Sequence, residues 1–207
     1  MQLTQAHRDA LQDILQWRRD VRHFLPDPIP DATLARLRAA MDMAPSVGNS
    51  RPWRVMQVDS PDLRAAIIAN FKTANAKAGA IYDAEKRADY NALKLAGLRD
   101  APVHLAVFTA QDPDEGHGLG RQSMPEMLAY STVAAIHTLW LAARAENIGL
   151  GWVSILDPEA AARTLDAPAH WSLTGYLCLG TAAFADDTPL LHQNEWQENT
   201  ATIWEKR

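Results

Sequence analysis

The chain has 207 residues, of which 47% are hydrophobic and 22% charged, with 25 acidic and 20 basic side chains giving a formal charge of −5. At about 150 residues per domain this predicts one folded unit with a substantial core, and the balanced composition excludes a disordered scaffold. The acidic balance offers no long-range attraction for a phosphodiester backbone, so nucleic acid is not an expected partner.

The single cysteine, Cys178, excludes an intramolecular disulfide and a cysteine zinc cage. The polar start from Met1 to Asp9 lacks the apolar run of a secretory signal, and no stretch offers the roughly 18 apolar residues of a membrane span. The expectation is a cytoplasmic chain without a membrane partner.

Between Thr4 and Trp17, Ala6, Ala10, Leu11, Ile14 and Leu15 recur at helical spacing behind a Thr4 N-cap and predict an amphipathic helix. Its end is the charged run Arg18-Arg19-Asp20-Val21-Arg22. A second helix, capped by Asp31, carries Leu34, Leu37, Ala40 and Met41 and stops before Pro45. The turn-forming loop from Pro45 to Trp53 then leads into a short strand over 55–58. Residues 61–100 contain no strand-like run and read as an insertion of one or two helices outside the sheet, broken near Gly79.

Val103 to Thr109 is a buried-strand candidate, and Gln111 to Arg121 a polar loop. Met127 to Glu146 is helical and apolar nearly all round, which predicts a central helix. Strands over 151–155 and 173–180 flank a helix that begins near Asp157-Pro158. The mixture is α+β. After Ala185 the tail is polar but holds Trp196 and Trp204, large apolar groups that suggest packing on a partner subunit.

Arg18, Arg19 and Arg22 can offer several guanidinium forks to one phosphate, although a solvated helix terminus has the same composition. Asp20 lies among them. Arginine neighbours favour its ionised form and burial favours the neutral one, which makes it a candidate proton acceptor. The Pro45 to Trp53 loop presents Ser46, Asn49, Ser50 and a permissive Gly48, and reads equally as a binding loop or a surface turn. Neither a Lys-Ser/Thr phosphate loop nor a Gly-x-Gly-x-x-Gly is present, which weakens nucleoside triphosphate and dinucleotide readings. In Gly149-Leu150-Gly151-Trp152-Val153-Ser154, glycines allow backbone to lie against a planar group beside a serine hydroxyl; a tight helix-to-strand turn has the same pattern. The acidic loop at Asp112 to His117 and the scattered histidines lack metal-ligand spacing, and Cys178 reads as a core residue, so no metal or thiol chemistry is expected.

Taken together, Arg18-Arg19-Asp20-Val21-Arg22, Ala44-Pro45-Ser46-Val47-Gly48 and Pro52-Trp53 resemble the flavin-binding pattern of the nitroreductase-like flavoproteins. More narrowly, several further stretches are similar to the flavin-fragmenting 5,6-dimethylbenzimidazole synthases: Lys94-Leu95-Ala96-Gly97-Leu98-Arg99, Gly118-Leu119-Gly120-Arg121, Tyr130-Ser131-Thr132-Val133 and Gly151-Trp152-Val153-Ser154-Ile155. The resemblance implies a single α+β domain with a mostly antiparallel sheet flanked by helices. It also implies a helical lid at about 61–100, a C-terminal arm at about 185–207 and an intertwined homodimer. Its implied reaction consumes reduced FMN and molecular oxygen and yields 5,6-dimethylbenzimidazole, the lower ligand of cobalamin, with erythrose 4-phosphate. NAD(P)H and a flavin reductase are candidate sources of the electrons, and no separate nicotinamide site is legible in the sequence.

By position, the resemblance assigns FMN binding to Arg18, Arg19, Asp20, Val21 and Arg22, to Ser46 and Gly48, and to Gly151 and Trp152 along the ring. It makes Asp20 and Ser154 the catalytic pair, with Lys94 and Arg99 facing the site from the lid. The chain departs from the pattern at Arg51, where relatives commonly carry glutamine, and after Trp196, where Gln197-Glu198-Asn199 stands in place of an arginine. Two alternatives stay open: a nitroreductase-type oxidoreductase that retains its FMN, and a non-catalytic flavin-binding dimer.

Overall fold

A computed structural model describes residues 1–83, 86, 87, 90 and 97–207. The expected lid residue Lys94 lies outside the described residues, as do Leu95 and Ala96.

A four-stranded antiparallel sheet organises the chain: β1 (Trp53–Gln57), β2 (Val103–Ala110), β3 (Gly149–Val153) and β4 (Trp171–Gly180), in the order β1-β2-β4-β3. The central pair sets Val103 opposite Leu179 and Ala110 opposite Trp171, with an irregularity between Val107 and Phe108. On the edges, Trp53 faces Thr109 and Gly149 faces Gly180. Side-chain alternation splits the core into two layers. Leu177 and Leu179 of β4 point to one face, where Leu37 and Met41 of α2 (Asp31–Met41) and Ile136 and Leu139 of α5 (Met127–Ala145) cover them. Tyr176 and Cys178 point to the other, against Ile67 of α3 (Pro61–Gly79) and Ala161 of α6 (Pro158–Thr164).

Local chemistry fixes the helix starts. Asp157 Oδ1 accepts the Ala160 N–H at 2.9 Å, with Pro158 in the first turn of α6, and Ser60 Oγ accepts the Leu63 N–H at 3.4 Å ahead of α3. For α1 (Gln5–Trp17), Thr4 is the N-cap, and its N–H donates to His7 Nδ1 at 3.2 Å. Asp31, expected as a cap, is instead the first residue of α2; the cap position is Pro30.

Ile67 is fully buried, so α3 is a core element covering one sheet face. The short helix α4 (Gly97–Asp100) ends the stretch 61–100, and its Arg99 is exposed. The prediction of a helix buried on several sides holds for the inner face of α5, where Ala135, Ile136 and Ala143 are buried, but Tyr130 and Val133 on its outer face are exposed. The amphipathic α1 buries no residue at all; Leu11, Leu15 and Trp17 are exposed. Trp196 packs within its own chain, whereas Trp204 is 90% exposed. Among the described residues no helix is long and apolar enough to cross a membrane.

Candidate active site

The outer edge of β3 meets residues 20–21, which run parallel to it. Val21 N–H donates to the Leu150 carbonyl at 3.0 Å, and Asp20 Oδ1 accepts the Trp152 N–H at 2.9 Å. A carboxylate thus takes the place that a ladder carbonyl would fill on a strand edge. Glycine makes the approach possible: a Cβ on Gly151 would lie 2.2 Å from the Val21 carbonyl oxygen, and one on Gly149 would lie 2.9 Å from Val21 Cγ2. The glycines expected to back a planar ligand are therefore required by the chain crossing that positions Asp20. Trp152 is half-buried, its indole lying across Gly175 of β4.

Around Asp20 the three arginines have separate tasks. The Arg18 guanidinium sits 4.7 Å from the centre of the Trp140 ring, and Trp140 in turn packs on Trp152 with ring centres 6.3 Å apart. Arg19 donates through Nη2 to the Leu15 and Gln16 carbonyls, closing the C-terminal end of α1. Arg22 Nε lies 3.5 Å from Asp20 Oδ2, an ion pair with the arginine side chain 13% exposed and the aspartate 39%. Burial pushes the Asp20 carboxyl above the ordinary carboxylate range, and the Trp152 N–H and the charges of Arg22 and Arg18 pull it back only in part. Asp20 is thus a solvent-reachable carboxylate with raised proton affinity, set among cations.

Arg19 Nε and Arg22 Nε are buried without a hydrogen-bond partner. Unsatisfied guanidinium donors beside a recess fit an anionic oxygen ligand such as a phosphate. The segment after β4 lies over them. Ala183 N–H donates to the His23 carbonyl at 3.0 Å, and a cavity of about 50 Å³ separates Asp20 and Arg22 from Phe184, Asp186, Thr188 and Gln193.

The other predicted residues lie elsewhere in the chain. Ser154 is exposed, one residue beyond β3 and two beyond Trp152, the partner of Asp20. Ser46 Oγ accepts the Arg51 N–H at 3.0 Å, and Gly48, at φ +57°, packs on the turn at Gly116 to Leu119, so both shape the loop that leads into β1. Arg51 is exposed at φ +44°. β1 and β3 are opposite edges of the sheet, about 14 Å apart at three strand spacings. Within one chain the Asp20 cluster and the Ser46 to Gly48 loop do not meet.

Sequence reasoning missed the roles of Gly149 and Trp140. Gly149 had a signal, since two glycines at alternate strand positions open one face to a crossing chain. Trp140 had none, because on an apolar helix an aromatic bracing an arginine looks like any core residue.

Residues 15–181 match the model of the nitroreductase family. The chain is 61% identical over all 207 residues to a 5,6-dimethylbenzimidazole synthase of Rhodobacter capsulatus, which it covers completely. It is 52% identical to one of Rhodospirillum rubrum over 192 residues, 93% of this chain and 91% of that one. Its fold is also that of an oxidised iodotyrosine deiodinase solved with FMN and 3-iodo-L-tyrosine, with a TM-score of 0.74 and 19% identity over 95% of this chain and 97% of the other. The chain belongs to the nitroreductase family and, within it, to the 5,6-dimethylbenzimidazole synthases.

Proposed function

We propose that the protein converts reduced FMN and molecular oxygen into 5,6-dimethylbenzimidazole and erythrose 4-phosphate, with FMN as the molecule consumed and the remaining carbons and nitrogens of its pyrimidine ring released as a further, oxidised fragment. Asp20 carries the proposal: a carboxylate with raised proton affinity, fixed by the Trp152 N–H and flanked by Arg18 and Arg22. A flavin that merely shuttles electrons has no evident need for such a group, whereas breaking up a ribityl chain requires proton removal from its hydroxyls or from the carbon attached to the ring. When bound, reduced FMN supplies the electrons that oxygen takes up and the carbon skeleton of both products.

The chain's own residues divide the remaining work. The buried Nε of Arg19 is available to phosphate oxygens, whereas Arg22 Nε is turned toward Asp20 at 3.5 Å. Trp152 holds Asp20 through its backbone N–H and, with Trp140 and Arg18, forms a wall beside it. Asp20 takes protons, and Ser154, further along the same β3 edge, orients or relays them. The expected lid, of which residues 80–83, 86, 87, 90 and 97–100 are described, shields the site from water and competing electron acceptors. A nicotinamide cofactor or a separate flavin reductase supplies the electrons.

The site is shared between two copies of the chain. Ser46 and Gly48 lie at the β1 edge and Asp20 at the β3 edge, so a flavin touching both takes them from different subunits. The exposed apolar stripe of α1 and the outer residues Tyr130 and Val133 of α5 supply a surface for that association.

Chemically reduced FMN supplied under air is expected to bleach with matching formation of the benzimidazole. Asp20→Asn is expected to lower that yield at least about a hundredfold while FMN still binds. Full recovery of oxidised FMN from the unaltered protein would instead assign it to the retained-flavin oxidoreductases.

A further inference from the structure

The C-terminal arm and the segment after α3 are joined by one side chain. Trp196 follows the short helix α7 (Leu190–Gln193), and its backbone N–H donates to the Leu191 carbonyl at 2.9 Å, so the residue is anchored in the arm. The ring meets Tyr82 edge-on with centres 5.7 Å apart and Tyr90 at 6.3 Å, and Lys86 Nζ lies 4.0 Å from its centre. The receiving side is itself anchored. Tyr82 and Tyr90 pack at 5.2 Å, Tyr90 OH donates to Asn75 Oδ1 of α3 at 2.7 Å, and Arg87 donates to the Gly79 and Tyr82 carbonyls.

At its other end the arm covers the active-site acid. The Asp186 carboxylate accepts the Thr188 N–H at 2.8 Å and the Gln193 side-chain amide, which gives the arm a fixed shape. Gln16 Nε2 donates to Asp187 Oδ2 at 3.1 Å and ties the arm to α1. The space left over Asp20 and Arg22 is about 50 Å³, far below the roughly 300–1,000 Å³ of a small-molecule site. A substrate reaching these groups from that side must lift the arm.

We propose that Trp196 is a latch. Gripped by Tyr82, Tyr90 and Lys86, it couples the arm over Asp20 to the end of α3 and residues 80–83, so that the arm and those residues loosen and tighten as one unit. Trp196 is a positioning residue: it touches neither Asp20 nor the arginines and acts by keeping the arm down. The coupling stands on the ring contacts alone, while its consequence for chemistry rests on the flavin-fragmentation proposal. With the arm loose, oxygen reaches the reduced flavin in an open site and takes two electrons and two protons from it, giving oxidised FMN and hydrogen peroxide.

The test compares Trp196→Ala and Trp196→Phe with the unaltered protein. In the unliganded protein, amide hydrogen exchange over 184–193 and over 79–83 is expected to speed up together, by about tenfold, in Trp196→Ala and to stay near the original rates in Trp196→Phe. Supplied with reduced FMN under air, Trp196→Ala is expected to return several times more oxidised FMN and peroxide per benzimidazole formed, and Trp196→Phe to restore the original ratio. Acceleration of one segment without the other, or of neither, overturns the latch. So does an unchanged product ratio alongside joint acceleration. A protein that makes no benzimidazole at all sinks the fragmentation proposal instead, and the exchange data still decide the coupling.

Discussion

Asp20 is held in a state that folding alone does not favour. Its carboxyl pKa is raised, chiefly by burial, so the folded protein binds that proton more tightly than the unfolded chain does. The stability contributed by the bound proton is complete below the ordinary carboxylate pKa of 3.8 and is lost as pH rises through the raised folded value. At neutral pH the residue therefore costs stability, the usual position of a group kept for chemistry. Asn at this position still accepts the Trp152 N–H through its amide oxygen but never ionises. Asp20→Asn is expected to melt at a higher temperature than the unaltered protein at pH 7, with the difference vanishing as pH falls below the carboxylate range. Benzimidazole formation by the unaltered protein should rise with pH through the raised value, because only the ionised acid takes a proton. Thermal melts across pH, set beside single-turnover yields, check both halves. Equal melting temperatures at pH 7 would mean that burial does not penalise the charge.

The crossing of residues 20–21 over β3 is the element on which the site depends, and its tolerance is measurable. Gly151→Ala puts a Cβ at 2.2 Å from the backbone oxygen of Val21, where no side-chain rotation relieves the clash, so a loss of at least about 1–3 kcal/mol is expected in denaturant unfolding. Gly149→Ala meets only the Val21 side chain and should cost less. Equal stabilities for the two variants would place residues 20–21 away from that edge. The same element shows what was legible in the sequence. The strand over 173–180, the helix from Met127 and the start at Asp157-Pro158 were readable because apolar period and caps are local. Ser154 was placed inside a strand that ends at Val153, and the start at Gly149 was missed, because glycine lowers strand propensity while tertiary pairing with Leu179 and Gly180 determines the edge. The core role of α3 was hidden because its alanine-rich sequence has only a weak apolar stripe, and the burial of Ile67, with Leu63, Ile68 and Phe71 beside it, decides which face it covers. The arginines were legible as a cluster but not as three tasks, since nothing local tells Arg18 to lie on Trp140 or Arg19 to close α1.

At the scale of the whole molecule, the proposed site has its acid on one sheet edge and its loop on the other, and that separation makes subunit sharing testable without an interface structure. Asp20→Asn removes the acid from both sites of a homodimer. Gly48→Val disrupts the loop in both, because a Cβ there meets the Gly116 carbonyl at 3.0 Å in a left-handed backbone conformation that a β-branched residue resists. Each purified variant should then be nearly inactive while keeping its secondary structure. In a mixed dimer one site unites the intact Asp20 of one chain with the intact loop of the other, and the second site carries both defects. Random exchange makes about half the dimers mixed, so equal mixing should restore about one quarter of the original benzimidazole yield per chain. Recovery should require conditions that let subunits exchange, and simple mixing of dimers that do not dissociate should give none. If the exchanged mixture stays inactive although mixed dimers are demonstrated, acid and loop belong to the same chain's site, and the full width of the sheet from β1 to β3 must be bridged within one subunit.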